Sequence, residues 1–500
     1  MFVSNEVHNR VNVHFATEEE KMAQAQLPPC GTWQKMSNAW AYLVNSWNII
    51  VPANREDPTR SRSLHALPTQ PGKYAEIVPW NNIGMGNAYS VTDPDIQRAV
   101  MQKPRNGTAK DPFSGGINVD VIAANTGHHN IATVSIAEHL KFRTFLRPLF
   151  SPEAVSKRVD AFRQAALELT AKWSKTNEPI DLTLSMKFYA LEMISKHYLG
   201  LNVDSEKLAH ALETFNEHSV EKALNKNNPK KLKQLEEKYG AAEKAAKQFI
   251  TDSVNGVIAN ESDKNNIIHQ MKESGKFSEE EIHDTIKGLF FGGWETSSST
   301  LTYGVYILSL EKNREWVRKI RDELVALSFD CPASFVKKLD NCEALNQVYL
   351  ELMRMNPAAF SVLRTVAHGD IVIERGPNQD PIYAKNGTVF ANNILLGLRD
   401  QGRWGANADE FDPSRFADPF NGPEAKEVTS LVFGAGQNIC LGRHFARYEI
   451  LTLLAVLCQN IDLIPVTQSV KQVTPMSASI VATDSKNPHV FIQSLKVKTS

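Results

Sequence analysis

The residue best suited to chemistry is a cysteine in a glycine-rich loop. Cys440 lies in Phe433-Gly434-Ala435-Gly436-Gln437-Asn438-Ile439-Cys440-Leu441-Gly442-Arg443, directly before an apolar helical pattern from His444 to Gln459. Glycines let a backbone turn tightly and approach a flat ligand closely. A thiolate just before a helix start is stabilised by the free N–H groups there and by the positive end of the helix dipole. Such a thiolate suits a soft, anionic metal ligand. The plainer alternative is a structural cysteine buried in a turn.

Three further groupings need helices to position them. Gly292-Gly293-Trp294-Glu295-Thr296 sits in the middle of a helical pattern from Ser278 to Leu310. Two glycines there cost about 2 kcal/mol relative to alanine. An otherwise apolar helix weakened at one point makes room for something. Glu351 and Arg354, at i and i+3 in Asn341–Met355, share one helix face. Taken alone, that pair equals many surface salt bridges. His139 and Arg143 lie one turn apart in the pattern Ser135–Leu149, which a surface helix also explains.

The spacing Phe-x-x-Gly-x-x-x-Cys-x-Gly resembles the haem-binding loop of the cytochrome P450 family. Leu345 to Pro357 resembles that family's Glu-x-x-Arg helix, and Asp409 to Phe416 resembles the segment supplying a third member, Arg415. Gly292–Thr296 resembles the distal helix with its acid–alcohol pair. Glu138–Pro152 resembles the helix that grips the haem propionates in soluble members, and Arg364 resembles a strand arginine that also reaches a propionate. These motifs fall in the family's order between about Lys73 and Pro465.

The resemblance implies a haem-thiolate monooxygenase of mostly α fold with a small β region. Cys440 would be the axial iron ligand of haem b. Phe433, Gly434, Gly436 and Gly442 would shape the loop, and His139, Arg143 and Arg364 would hold the propionates. Thr296 would hold a water on the oxygen side and Glu295 would relay protons from solvent. Glu351, Arg354 and Arg415 would form a structural network under the haem. The pocket for an apolar small molecule (a lipid, sterol, terpene or similar) would draw on loop 104–130, Phe290, Gly292, Ala358, Phe360, Val362, Met476 and Ile480. No fused flavin or ferredoxin module is expected. NAD(P)H electrons would therefore come through a separate ferredoxin or flavoprotein reductase. One position departs from the pattern: Asn438 stands where the family usually has arginine. Prostacyclin-synthase-like members can carry asparagine there, so a peroxide-using or isomerising enzyme is the alternative. A non-catalytic haem sensor or carrier is a second.

Composition narrows the class. The 500 residues carry a net charge of −1, so no nucleic-acid partner is implied. Five cysteines (Cys30, Cys331, Cys342, Cys440, Cys458) show neither zinc spacing nor a disulfide framework, which fits a reducing, cytoplasmic compartment. Ala39–Val51 is short and interrupted by Asn45, Ser46 and Asn48. It reads as a core helix rather than a membrane anchor, with contact at a membrane surface as the lesser alternative. Microsomal members of the family carry an N-terminal anchor, so the expectation is a soluble, bacterial-type member. Residues 1–30 are expected to be poorly ordered and 31–500 to form one domain. Helical patterns cover Glu153–Lys175, Leu182–Leu199, Glu206–Lys226 and Lys230–Asn260; β-type runs cover Val362–Ala367, Ile371–Ile373, Ile382–Ala384 and Thr388–Ala391.

Overall fold

The computed structural model describes residues 12–17, 77–79, 88–102, 113–114, 122–123, 125–200, 204–224, 228–259, 267–327, 334–359, 361–374, 381–467, 470–473, 480–482 and 490–496. Its longer helices, in chain order, are α1 (Pro94–Gln102), α2 (Ile136–Leu149), α3 (Val159–Trp173), α4 (Leu182–Glu192), α5 (Ser205–Leu224), α6 (Pro229–Ala259), α7 (Glu279–Ser309), α8 (Arg314–Ala326), α9 (Glu343–Met355), α10 (Pro423–Val432) and α11 (Arg443–Asn460). The fold is mostly helical with small sheets, as expected.

Two of these helices are sealed on nearly every side. In α11, Phe445 and the run Tyr448 to Cys458 are buried. In α7 burial is nearly continuous from Trp294 to Ser309, broken only by the half-buried Thr296. A helix apolar all round belongs in the middle of a core. The start of α7 is fixed by a reciprocal capping box. Glu281 N–H donates to Ser278 Oγ at 3.2 Å, and Ser278 N–H donates back to the Glu281 carboxylate at 2.8 Å. Glu279, Glu280 and Glu281 in the first turn suit the positive end of the dipole.

Two expected helices are interrupted. Glu153–Lys175 divides into a short turn, Pro152–Ser156, and α3. Leu182–Leu199 ends in a π-helical turn at Met193–Tyr198. That turn brings Ile194 against α7, where a methyl on Gly293 would meet Ile194 Cγ1 at 2.9 Å. Helix α10 starts with Pro423 at its first position and buries Ala425, Val428 and Leu431 on one face.

A five-stranded sheet runs in the order 77–79, 88–91, 389–393, 361–366, 113–114, and its 88–91/389–393 pair is parallel. A second sheet joins Ile371–Glu374 to Ile382–Ala384 and, on its other edge, to Asn12–Phe15. The segment 1–30, expected to be poorly ordered, contributes this strand; apart from 12–17 it lies outside the described residues. Val13 is 3% exposed and joins Val91, Ile96, Val100, Ile371 and Phe390 in a small core separate from the helical one. Burial of that apolar side chain is what holds the strand. Ala39–Val51 and most of 104–130 lie outside the described residues. Among those described, no helix is long and apolar enough to cross a membrane.

Candidate active site

The Cys440 loop is built by backbone geometry. Gly434 and Gly436 both have positive φ, +76° and +69°, which side-chain-bearing residues rarely adopt. A methyl on Gly436 would also meet the Gln102 carbonyl oxygen at 2.5 Å, so the loop packs onto the end of α1. Cys440 N–H donates to the Phe433 carbonyl at 2.7 Å and closes the loop. Arg143 of α2 clamps it by donating to the Ile439 carbonyl at 2.6 Å.

The sulfur stands at the head of α11. Burial pushes the Cys440 thiol up, while the Gly442 and Arg443 N–H groups, with the Arg143 and Arg443 guanidiniums, pull it down. Among the described cysteines, Cys342 and Cys458 are buried and Cys440 is exposed. Protein encloses the sulfur electrostatically while one side of the residue remains open. The neighbourhood is cationic throughout: burial, with Arg443 and Arg447, lowers the neighbouring His444 to about 4.

Helix α7 presents the second part of the site. Gly292 is exposed, and a methyl built on it would meet nothing within 4 Å. The two glycines therefore differ: Gly293 admits Ile194, and Gly292 opens on free space. Thr296 is half-buried and donates its hydroxyl proton to the Gly292 carbonyl at 2.6 Å. Its oxygen keeps lone pairs to accept from a water. Glu295 is 5% exposed. Phe290 has no exposed surface and packs in the helical core instead of facing an open space.

One residue that sequence reasoning missed links the two parts. Glu449 on α11 is fully buried, and among the described residues neither carboxyl oxygen has a direct hydrogen-bond partner. Burial pushes its pKa well above the carboxylate range. Ser297, next to Thr296, lies close enough to pull that pKa partly back, without the geometry of a hydrogen bond. Ser297 Oγ, Thr452 Oγ1 and Trp294 Nε1 are likewise buried without partners. A polar group in an otherwise apolar helix was the available signal.

Beneath the loop, Glu351 and Arg354 have no exposed surface. Arg354 binds the carboxylate with a fork, Nε to Oε2 at 2.7 Å and Nη2 to Oε1 at 2.8 Å. Its remaining donors reach the carbonyls of Leu398, Ala408 and Glu410 at 2.8, 2.7 and 3.2 Å. Asp412 N–H donates to Glu351 at 2.8 Å. Arg415 stands 3.6 Å from Glu351, an ion pair without a hydrogen bond, and donates instead to the carbonyls of Trp404 and Asn407. Burial pushes the Glu351 carboxyl up against the pull of Arg354. Helix α9 is tied to α11 by Arg447, which donates to Asn346 Oδ1 at 2.8 Å.

The other expected residues are placed as follows. His139 is 8% exposed on α2, one turn before Arg143. Arg364 is 5% exposed on strand Ser361–Val366, with Nη1 donating to its neighbour's carbonyl, Leu363, at 3.0 Å. Ala358 and Val362 are half-buried, as is Asn438 in the loop. Ile480 begins a strand paired with Val470–Val473. Phe360 and Met476 lie outside the described residues.

This donor set fits a haem. Cys440 is an exposed residue, and the N–H groups and guanidiniums around its thiol pull toward the thiolate against the effect of burial. Gly292 leaves free space, as does Gly442, where a methyl would also meet nothing within 4 Å. Comparison with known proteins agrees. The profile of the family described as Cytochrome P450 matches residues 62–491. Cytochrome P450 72A397 of Kalopanax septemlobus is 24% identical over 76% of this chain and 74% of its own length. Secologanin synthase 2 of Catharanthus roseus is 24% identical over 65% of this chain and 64% of its own length. Cytochrome P450 714B1 of rice is 35% identical over a shorter stretch, 36% of this chain and 32% of its own. The chain thus spans about three quarters, two thirds and one third of the length of these relatives, respectively. They are plant proteins, so the bacterial-type expectation finds no support among them. With the profile covering most of its length and the cysteine loop, the glycine-weakened helix and the buried Glu-x-x-Arg pair all in place, the chain belongs to the cytochrome P450 family.

Proposed function

We propose that this chain is a haem-thiolate monooxygenase acting on an apolar small molecule, with Cys440 as the axial ligand. The observation that carries the reading is Cys440, an exposed residue at the head of α11 whose thiol is attended by two backbone N–H groups and two guanidiniums. When bound, a thiolate-ligated haem activates O2 with two electrons and two protons and inserts one oxygen atom into a C–H bond, releasing the other as water. The electrons derive from NAD(P)H through a separate ferredoxin or flavoprotein reductase.

The chain's own residues then have distinct tasks. Phe433, Gly434, Gly436 and Gly442 hold the loop open, and Arg143 fixes it through the Ile439 carbonyl. His139, Arg143 and Arg364 are the donors for the propionates, which Asn438 cannot neutralise. On the oxygen side, Gly292 leaves room. Thr296 has its proton committed to the Gly292 carbonyl, so its oxygen accepts from a water and orients it. Glu295, largely buried beside it, passes protons inward. Ala358 and Val362 contribute to the substrate wall.

Thr296→Ala tests this assignment. Cofactor content and substrate binding should persist while reducing equivalents are lost as hydrogen peroxide, because protons are misdirected. Thr296→Ser, which keeps the oxygen, should restore most of the coupling. Unchanged coupling in Thr296→Ala would remove the role. The peroxide-using or isomerising alternative is favoured by Asn438 alone. Turnover with hydrogen peroxide and none with a reductase would select it.

A further inference from the structure

A cavity of about 260 Å³ lies between the C-terminal ends of α7 and α11 and the face of α8. Its floor is apolar and buried, with Val305, Leu308, Leu454, Leu457 and Ile461 all under 10% exposed. Cys458 completes the floor, and burial pushes its thiol up to about 12, so no charge competes there. The rim is cationic. Arg314, Arg318 and Arg321 fall at i, i+4 and i+7 of α8 and therefore on one face.

The rim charges do not cancel. Arg314 pairs with Glu311 at 2.5 Å. Arg321 pairs with Asp462 at 3.0 Å and donates from Nε to the Cys458 carbonyl at 2.7 Å. Among the described residues, Arg318 makes no hydrogen bond or ion pair, although it lines the cavity and is exposed. Among the lining residues three guanidiniums against two carboxylates leave one positive charge above an apolar floor; Glu315, which also attracts Arg318, is itself paired with Lys319 at 2.9 Å. Thr296 and Val305 are nine residues apart on α7, about 14 Å at helical rise, so this cavity is distinct from the oxygen side.

We propose that this cavity is a second binding site, for an amphipathic anion whose single carboxylate-like head meets Arg318 while a medium-length alkyl tail fills the floor. The volume falls just below the range of about 300–1,000 Å³ that takes drug-sized ligands, so the tail is short. A guanidinium binds a planar carboxylate through two parallel hydrogen bonds, which a neutral or cationic head of the same tail length cannot accept in that way.

The test uses the purified full chain and decanoate below its micelle concentration, with decanol and decylamine as matched probes. Calorimetry should find a decanoate site and much weaker binding of both other probes. Arg318→Glu, at an exposed position that leaves folding intact, should weaken decanoate by at least about tenfold. A diazirine-bearing ten-carbon carboxylate should label peptides within 305–321 and 454–463. Labelling confined to the region of Gly292–Thr296 would overturn the proposal. So would equal binding of the three probes, or decanoate affinity unchanged in Arg318→Glu.

Discussion

Two glutamates with no exposed surface sit in this molecule under opposite conditions. Glu351 is held by an Arg354 fork, the Asp412 N–H and the nearby Arg415. Among the described residues Glu449 has no direct hydrogen-bond partner on either oxygen. Burial raises both, yet only Glu351 has cations beside it to repay the cost of charge. The first is therefore a structural clamp on the segments around Leu398, Ala408 and Glu410. The second is a carboxyl whose burial favours its neutral form, between the helix that Cys440 heads and the helix that carries Thr296. A buried carboxyl's role is set by what faces it, not by its depth.

The contrast can be broken most forcefully at Arg354. Arg354→Ala strands the Glu351 charge and unpairs three carbonyls, and should cost about 3–5 kcal/mol in chemical denaturation. Arg354→Lys keeps the charge but loses the fork and should remain strongly destabilised. Arg415→Ala should cost less, about 1–3 kcal/mol, because what it leaves behind is two unpaired carbonyls. A loss as large as that of Arg354→Ala would show that the 3.6 Å ion pair is as strong as the fork.

Glu449→Gln sharpens the other side. The folded protein binds a proton at Glu449 that the unfolded chain releases above about pH 4.3. The wild type should therefore lose stability as pH rises from that value toward the raised folded pKa, by about 1.4 kcal/mol per unit. The glutamine variant should lack this slope, and its advantage over wild type should grow with pH. Parallel stability curves across that window would mean that Glu449 is ionised in the fold.

The smallest effects separate the two glycines of α7. Gly292→Ala meets open space and should stabilise the helix by up to about 1 kcal/mol. Gly293→Ala should destabilise it, since the new methyl meets Ile194 at 2.9 Å. Thermal denaturation should give opposite signs.

Much of the site was legible because its parts are local. The Cys440 loop, Glu-x-x-Arg on α9 and the double glycine in α7 each fit within one element, and each element formed where its pattern placed it. Glu449 was not legible. It lies 152 positions from Ser297, and a glutamate on a helix reads as a solvent-facing residue until the other helices are packed around it. The π turn at Met193–Tyr198 was hidden for a related reason, since its partner is Gly293 on another helix. Strand Asn12–Phe15 draws its order from pairing with Ile371–Glu374, which nothing within 1–30 announces. Arg415 was expected beside the Glu351 carboxylate with Arg354 and stands 3.6 Å from it; that its hydrogen bonds go to the carbonyls of Trp404 and Asn407 depends on how those segments pack, which no local pattern shows.

The proposed chemistry rests on the thiolate of Cys440. The most direct measurement is the absorption spectrum of the reduced, carbon-monoxide-treated protein, compared among wild type, Cys440→Ala, Cys440→His and Cys458→Ala. The wild type and Cys458→Ala should show the strongly red-shifted Soret band of thiolate ligation, and both Cys440 variants should lose it. Persistence of that band in Cys440→Ala, or its absence from a haem-containing wild type, would contradict the assignment.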